Sequence, residues 1–420
     1  MTEKLLQYVW NFKIFRNTNF EDTEGNRIEV LNYGFWNKNS GPDFLDAKIK
    51  LGNITFYGPI ELHVKASDWN LHKHSRDTHF DNIILHVVYE EDVRLEELYA
   101  KNIPTLVLKK HISEDVINRY QNVENSQSFI PCEDLLKPNH IPFQFSEELV
   151  IQKLDEKANQ IQSDLENHKN DLEEVFFHHI AYAFGLKVNA FQFKNWAENI
   201  PFKVVQKTRN SAIQLEALFL GKAGLLTESI DEQSRIWKTE YDYLKTKFQL
   251  NPDEFKPQFS KLRPDNFPTI RLSQLARVYL QIPNLFSKLI NSSNYSELIK
   301  SFKTIRASTY WDSHFTLGKT SEKVYPKTLS SAFIDRLLLN TILPFQYFYF
   351  RNQDAEKIEQ VLEIYRQIKP EENNLINAWK NLQIPVISAL DSQALLYQHK
   401  AFCSHKKCLS CSIGFQLMQS

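Results

Sequence analysis

The stretch Asn39–Asp68, NSGPDFLDAKIKLGNITFYGPIELHVKASD, decides how the front of this chain folds. Gly52-Asn53, set between Ala47–Leu51 and Ile54–Tyr57, is a hairpin signal, because a two-residue turn needs residues that tolerate positive φ. Gly58-Pro59 predicts a bend, and Ile60–Ala66 a further strand. Alternate residues of a strand share a face. Glu61, His63 and Lys65 therefore share one face, and Ile60, Leu62 and Val64 form the core face. One strand earlier, Gly41-Pro42-Asp43 places a carboxylate at a strand entry, with Asp46 close behind. Two carboxylates on adjacent strands, with a cation beyond the second, make a site for a hard cation such as Mg²⁺ or Mn²⁺.

Outward from this hairpin, residues 1–20 predict a short helix or strand. Ile28–Leu31 and Thr105–Leu108 read as short strands, and Ile83–Tyr89 (IILHVVY) as a strand buried on both faces. The proline-rich run IPCEDLLKPNHIP at 130–142 marks a boundary. From Ser146 onward the apolar spacing is helical, and Pro344 is expected to kink or break a helix over Ala332–Phe350. The predicted fold class is α+β. A mixed, β-rich domain spans 1–135, an irregular α-helical domain 136–400, and a cysteine-rich metal-binding tail 401–420. Glycine usage agrees, since five of the ten glycines fall in the first 58 residues.

The totals exclude several classes. There is no GxGxxG or GxxxxGK[ST] string for a nucleotide phosphate and no HExxH. The net charge of −1 advertises no global polyanion field. No apolar run approaches a membrane span, and the first residues lack a signal-peptide layout, so a cytoplasmic protein without membrane association is expected.

Five of the 13 histidines, His63, His72, His74, His79 and His86, fall within 24 residues. His72-x-His74 with Asp77 and His79 suits Zn²⁺ or another transition ion, or a general acid beside the acidic site. His86, within an apolar run, reads as a core histidine with a backbone partner. Cys403-x4-Cys408-x2-Cys411 is a compact ligand spacing. His405 or Cys132 completes four ligands, for either a closed zinc site or a [4Fe–4S] cluster. With Cys132 as a ligand, the end of the chain is pinned to its front domain. Residues 300–336 interleave seven cations (Lys300, Lys303, Arg306, Lys319, Lys323, Lys327, Arg336) with aromatics, and Arg263 and Arg271 flank PDNFP. Both segments suit nucleic acid, but a solvated helix face with core aromatics and a rigid turn and cap are the favoured accounts.

Pro42-Asp43, a hairpin, then Glu61-x-His63 with Lys65 beyond, resembles the PD-(D/E)xK nuclease superfamily. The resemblance implies a metal-dependent phosphodiesterase acting on DNA or RNA. Asp43 and Glu61 would be metal ligands. The lysine position is His63, with Lys65 on the same face to supply charge, and His72 or His74 assisting. It also implies an acid on a preceding helix, for which Glu24 and Glu29 are the nearest acids. The cysteine set resembles the iron–sulfur staple of some superfamily members. There the lone cysteine precedes the nuclease motifs, whereas Cys132 follows them. The whole chain is also similar to an uncharacterised bacterial family with GPDF, ELHV, WxxHxH, ILHVV, LRPxNFPxxR and a CxxxxCxxC tail. These are Gly41–Phe44, Glu61–Val64, Trp69–His74, Ile84–Val88, Leu262–Arg271 and, with an Ile-Gly after the tail, Cys403–Gly414. That family implies no activity. A non-catalytic nucleic-acid- or protein-binding scaffold, and a zinc hydrolase built on His72, His74 and His79, are the rival expectations. Protein partners are not legible.

Overall fold

The computed structural model describes residues 1–251 and 257–419. It separates into two units. The first comprises Met1–Phe145, Asn373–Pro385 and Leu396–Ser420, and the second Ser146–Glu372 and Val386–Leu395. The boundary falls ten residues later than position 135, and the cysteine tail belongs to the first unit rather than forming a domain of its own.

The first unit opens with helix α1 (Glu3–Phe12). Thr2 caps it by accepting from Leu5 N–H, and Lys13 in left-handed backbone ends it. A sheet follows, made of β1 (Phe20–Glu21), β2 (Arg27–Asn32), β3 (Phe35–Trp36), β4 (Phe44–Leu51), β5 (Ile54–Lys65), β6 (Leu85–Glu90) and β7 (Thr105–Val107). Strand order is β1-β2-β4-β5-β6-β7, with β3 also paired to β4. β2, β4 and β5 form an antiparallel meander, whereas β6 runs parallel to β5 and β7 parallel to β6. The chain returns for β6 through α2 (Asp68–Leu71) and two short 3₁₀ turns. Helices α3 (Glu96–Ala100) and α4 (Glu114–Asn125) complete this part.

The expected bend at Gly58-Pro59 does not break the strand, and β5 runs unbroken for 12 residues. Gly58 serves close approach instead: a Cβ there would stand 2.7 Å from Ile84 Cγ2. One core face carries Ile60, Leu62, Leu85 and Val87 against Leu5, Leu6, Val9 and Trp10 of α1. Each such apolar side chain contributes roughly 1.5–3 kcal/mol on burial. On the other face a smaller cluster forms from Trp69, Phe80, Ile83 and Leu98.

Among its described residues the second unit is helical, from Phe145–Asn167 through Ala355–Gln367, with a two-stranded hairpin (His314–Thr316 and Lys319–Thr320). The helical run over Ala332–Phe350 is interrupted as expected, with Pro344 in the first turn of its last segment. A π-turn at Leu338–Ile342 joins Ser331–Leu337 to Leu343–Phe350, which accommodates the missing proline N–H by widening one turn.

Candidate metal centre

The parallel register of β5 and β6 sets Glu61 opposite His86 and His63 opposite Val88. Glu61, His63 and His86 therefore lie on one face of the sheet, away from the α1 core. Beyond β5 the chain turns through α2 and reverses at Lys73, whose φ is +60°. That reversal brings both imidazoles of His72-x-His74 back over His63.

His63 Nε2 lies 3.3 Å from His72 Nδ1 and 3.2 Å from His74 Nε2. Glu61 Oε1 lies 3.4 Å from His74 Nε2 and 3.7 Å from His63 Nε2. A ring nitrogen has a single in-plane site, so His63 Nε2 cannot satisfy both neighbouring nitrogens by hydrogen bonding. A shared cation can. Tetrahedral ligands at about 2.0–2.1 Å from a metal stand about 3.3–3.4 Å apart, the spacing found here. Burial and the neighbouring imidazoles push His63 down to about 2, burial brings His86 down to about 3, and burial lowers His74 as well. Neutral imidazoles keep the lone pairs that ligation needs. Ring packing fixes their orientation: Trp69 contacts His63, His74 and His86, and Phe80 lies 3.8 Å from the His74 ring.

Behind this cluster, His63 Nδ1 lies 3.0 Å from His86 Nε2. The tautomer that frees His63 Nε2 has Nδ1–H donating to His86. His86 is thus buried as expected, but its side chain partners His63 rather than the backbone.

Asp43 sits beside Glu61. Its backbone N–H donates to Glu61 Oε2 at 3.0 Å, and its Oδ2 accepts from Leu62 N–H at 3.0 Å. Gln7 of α1 donates to Asp43 Oδ1 at 2.7 Å. Burial raises the pKa of both carboxyls, and the charge of Asp43 raises that of Glu61 further. Glu3, one turn before Gln7, adds negative charge near both and faces His72. The acid of α1 that acts on this pair is Glu3. Glu24 instead pairs with Arg94 at 3.4 Å, and Glu29 is exposed on β2. Sequence reading missed Glu3, Gln7 and the role of His86; the Thr2-Glu3 helix start was the one available signal.

Other expected residues lie apart. Lys65 is exposed at the end of β5, where its charge acts on Asp92. His79 pairs with Asp77 at 2.6 Å on the surface. Asp46 is exposed at an irregularity of β4.

The four cysteines, all free, are buried and line one enclosed void. His405 is exposed and does not line it. Burial pushes Cys403 and Cys408 up to about 12 and raises Cys132 and Cys411.

In the second unit, the aromatics Phe302, Trp311 and Phe333 of the basic segment are core residues. Lys327 is buried, donating to Asp312 O at 2.7 Å, and Arg306 pairs with Asp312 at 2.6 Å. Lys300, Lys303, Lys319, Lys323 and Arg336 are exposed. Arg271 is buried, donating to Gln274 Oε1 and Asn266 Oδ1, so the LRPxNFP segment is a rigid turn locked to the helix Pro268–Gln281.

The first unit is thus a mixed-sheet module with a histidine–carboxylate cluster, joined to a helical unit. The chain belongs to the family described as "Protein of unknown function (DUF2851)", which matches residues 3–374. The match stops short of the three C-terminal cysteines. No curated protein and no solved structure matches the chain. Among the described residues, no helix is long and apolar enough to cross a membrane.

Proposed function

We propose that the first unit is a metal-dependent phosphodiesterase, a nuclease acting on DNA or RNA, with its metal held by His63, His72, His74 and Glu61. The observation that carries this reading is the convergence of His72 Nδ1 and His74 Nε2 on His63 Nε2 at 3.2–3.3 Å, with Glu61 Oε1 beside them. Three nitrogens and one oxygen favour zinc, manganese or another transition ion over magnesium. The expected lysine position is thereby occupied by a ligand, His63, rather than by a point charge. A metal here supplies an activated water and a Lewis acid for the phosphoryl oxygen. His72 is exposed, which leaves the cluster open on the side where substrate would enter. Asp43, held by Gln7 and Leu62, provides the second carboxylate of the hairpin, placed to take a proton or to share a second cation. The choice of a phosphodiester rests on this pair of acids on adjacent strands, with the acid-bearing helix α1 before them. Four free, buried cysteines support a reducing, cytoplasmic setting.

The test uses the full chain, stripped of metal and reloaded with Mn²⁺, Zn²⁺ or Mg²⁺. Labelled single- and double-stranded DNA and RNA oligonucleotides are the substrates. Cleavage that Glu61→Gln and His72→Ala abolish supports the reading. Metal binding with no cleavage of any oligonucleotide overturns it, and nucleic-acid binding without turnover would establish the scaffold instead.

A further inference from the structure

We infer that His168, His178 and Glu198 of the second unit bind a divalent transition ion, zinc foremost. The set shares no residue with the His63 cluster and is independent of the phosphodiesterase reading. One ligand atom from each of the three residues lies within 4.8 Å of the other two.

Three neighbouring stretches of sequence supply the set. His168 follows the end of helix Phe145–Asn167, and Lys169 and Asn170, both at positive φ, reverse the chain. Asp171 then caps helix Leu172–Phe184 by accepting from Glu174 N–H, and His178 lies near the middle of that helix. Glu198 is the last residue of the next helix, Leu186–Glu198.

His178 is the residue that calls for a ligand. It is 1% exposed, and its Nε2 has no hydrogen-bond partner among the described residues. Buried polar atoms are nearly always paired. The His168 ring lies beside it, with centroids 4.7 Å apart and planes at 65°. Burial, with His168, Lys194 and His179 nearby, pushes His178 down to about 3, so the imidazole is neutral and keeps a lone pair. Two imidazoles and one carboxylate suit zinc and its neighbours, and leave a fourth position for water.

The charged groups around the set are Asp164, His179 and Lys194. Lys194 Nζ pairs with Asp164 Oδ2 at 3.1 Å and with Glu198 Oε1 at 3.7 Å, and His179 Nε2 lies 2.7 Å from Asp164 Oδ2. Lys194 therefore keeps a carboxylate partner when Glu198 turns to a metal. A tetrahedral ion holds such ligand atoms about 3.3–3.4 Å apart, so the set contracts on binding. His168 is half-buried and Glu198 exposed, which leaves both free to close on His178.

The test uses the full, untagged chain carrying His72→Ala, compared with the same chain carrying His168→Ala and Glu198→Gln as well. Both are stripped of metal with a chelator and titrated with Zn²⁺, with elemental analysis after desalting. The cysteines are the same in both, so the difference reads this set alone. The expected result is one zinc fewer per chain in the second protein, and a smaller rise of its Tm on adding Zn²⁺, with circular dichroism unchanged. Equal zinc content and equal Tm response overturn the proposal. Glu198→Gln alone, at an exposed helix end, covers the case in which the larger variant unfolds. Its zinc affinity at this site should fall by at least ~10-fold, since a ligand counts for no less than an outer partner. Unchanged affinity overturns the proposal equally.

Discussion

His86 stands opposite Glu61 across two parallel strands and reaches past it to His63, Nε2 to Nδ1 at 3.0 Å. The contact fixes which nitrogen of His63 is free. Removing such an outer partner typically weakens metal binding by ~10–100-fold. His86→Leu is close in volume and deletes the acceptor. Titration with Zn²⁺ or Mn²⁺ should show a loss in that range with circular dichroism unchanged. Equal affinity would deny His86 this role.

His72 is the exposed member of the cluster, so its removal should spare the fold. His72→Ala should lose one bound transition ion per chain. Its hydrolytic rate should fall by more than the ~10–100-fold expected from an outer partner. Elemental analysis and oligonucleotide cleavage, run on the same preparation, check both. Undiminished metal content would place the ion elsewhere.

Among the described residues, Gln7 donates to Asp43 and not to His63, His72, His74 or Glu61. Gln7→Leu should leave metal stoichiometry intact while the cleavage rate drops roughly tenfold, the kinetic equivalent of about 1.4 kcal/mol from one charge-assisted hydrogen bond. Gln7→Asn, with a shorter amide, should recover little. A loss of metal alongside the rate would mean that Asp43 is itself needed to bind it.

Gly414 leaves no room for a methyl group against the Cys408 carbonyl. Gly414→Ala should destabilise the chain by about 1–3 kcal/mol, as overpacking does. Thermal unfolding checks it. An equally stable variant would show that the tail can shift freely.

Arg271 is locked inside the second unit by Gln274 and Asn266. Arg271→Ala should lower stability by about 1–3 kcal/mol, because buried partners are left unpaired. Nucleic-acid affinity of the folded protein should not change. Weakened binding at unchanged stability would restore the nucleic-acid reading of this segment.

Much of the front unit was legible because strand physics is local. Alternation along Ile60–Lys65 separated Glu61 and His63 from Ile60 and Leu62 without any tertiary information. The same rule misplaced Lys65, since alternation gives a side but not an end: the site gathers at Glu61 and His63 of the inner strand β5, and Lys65, at the end of that strand, is already in solvent. It also left His86 unassigned, because which face a strand shares with its neighbour depends on register. Glu24 and Glu29 were nearer in sequence than Glu3, yet the α1 packing placed Glu3 beside the site.

The sequence by itself determined the α+β class, the hairpin carrying Asp43 and Glu61, the presence of a ligand-rich His72-x-His74 turn and the C-terminal cysteine spacing. These follow from residue periodicity and turn chemistry within a few positions. Only the tertiary structure decided that His63, His72, His74 and Glu61 converge, that Gln7 and Glu3 join them from α1, and that Cys132 rather than His405 completes the cysteine set. Each of those pairings is set by strand register, by the backbone reversal at Lys73 or by packing between distant segments. Such three-dimensional constraints leave no periodic trace along the chain.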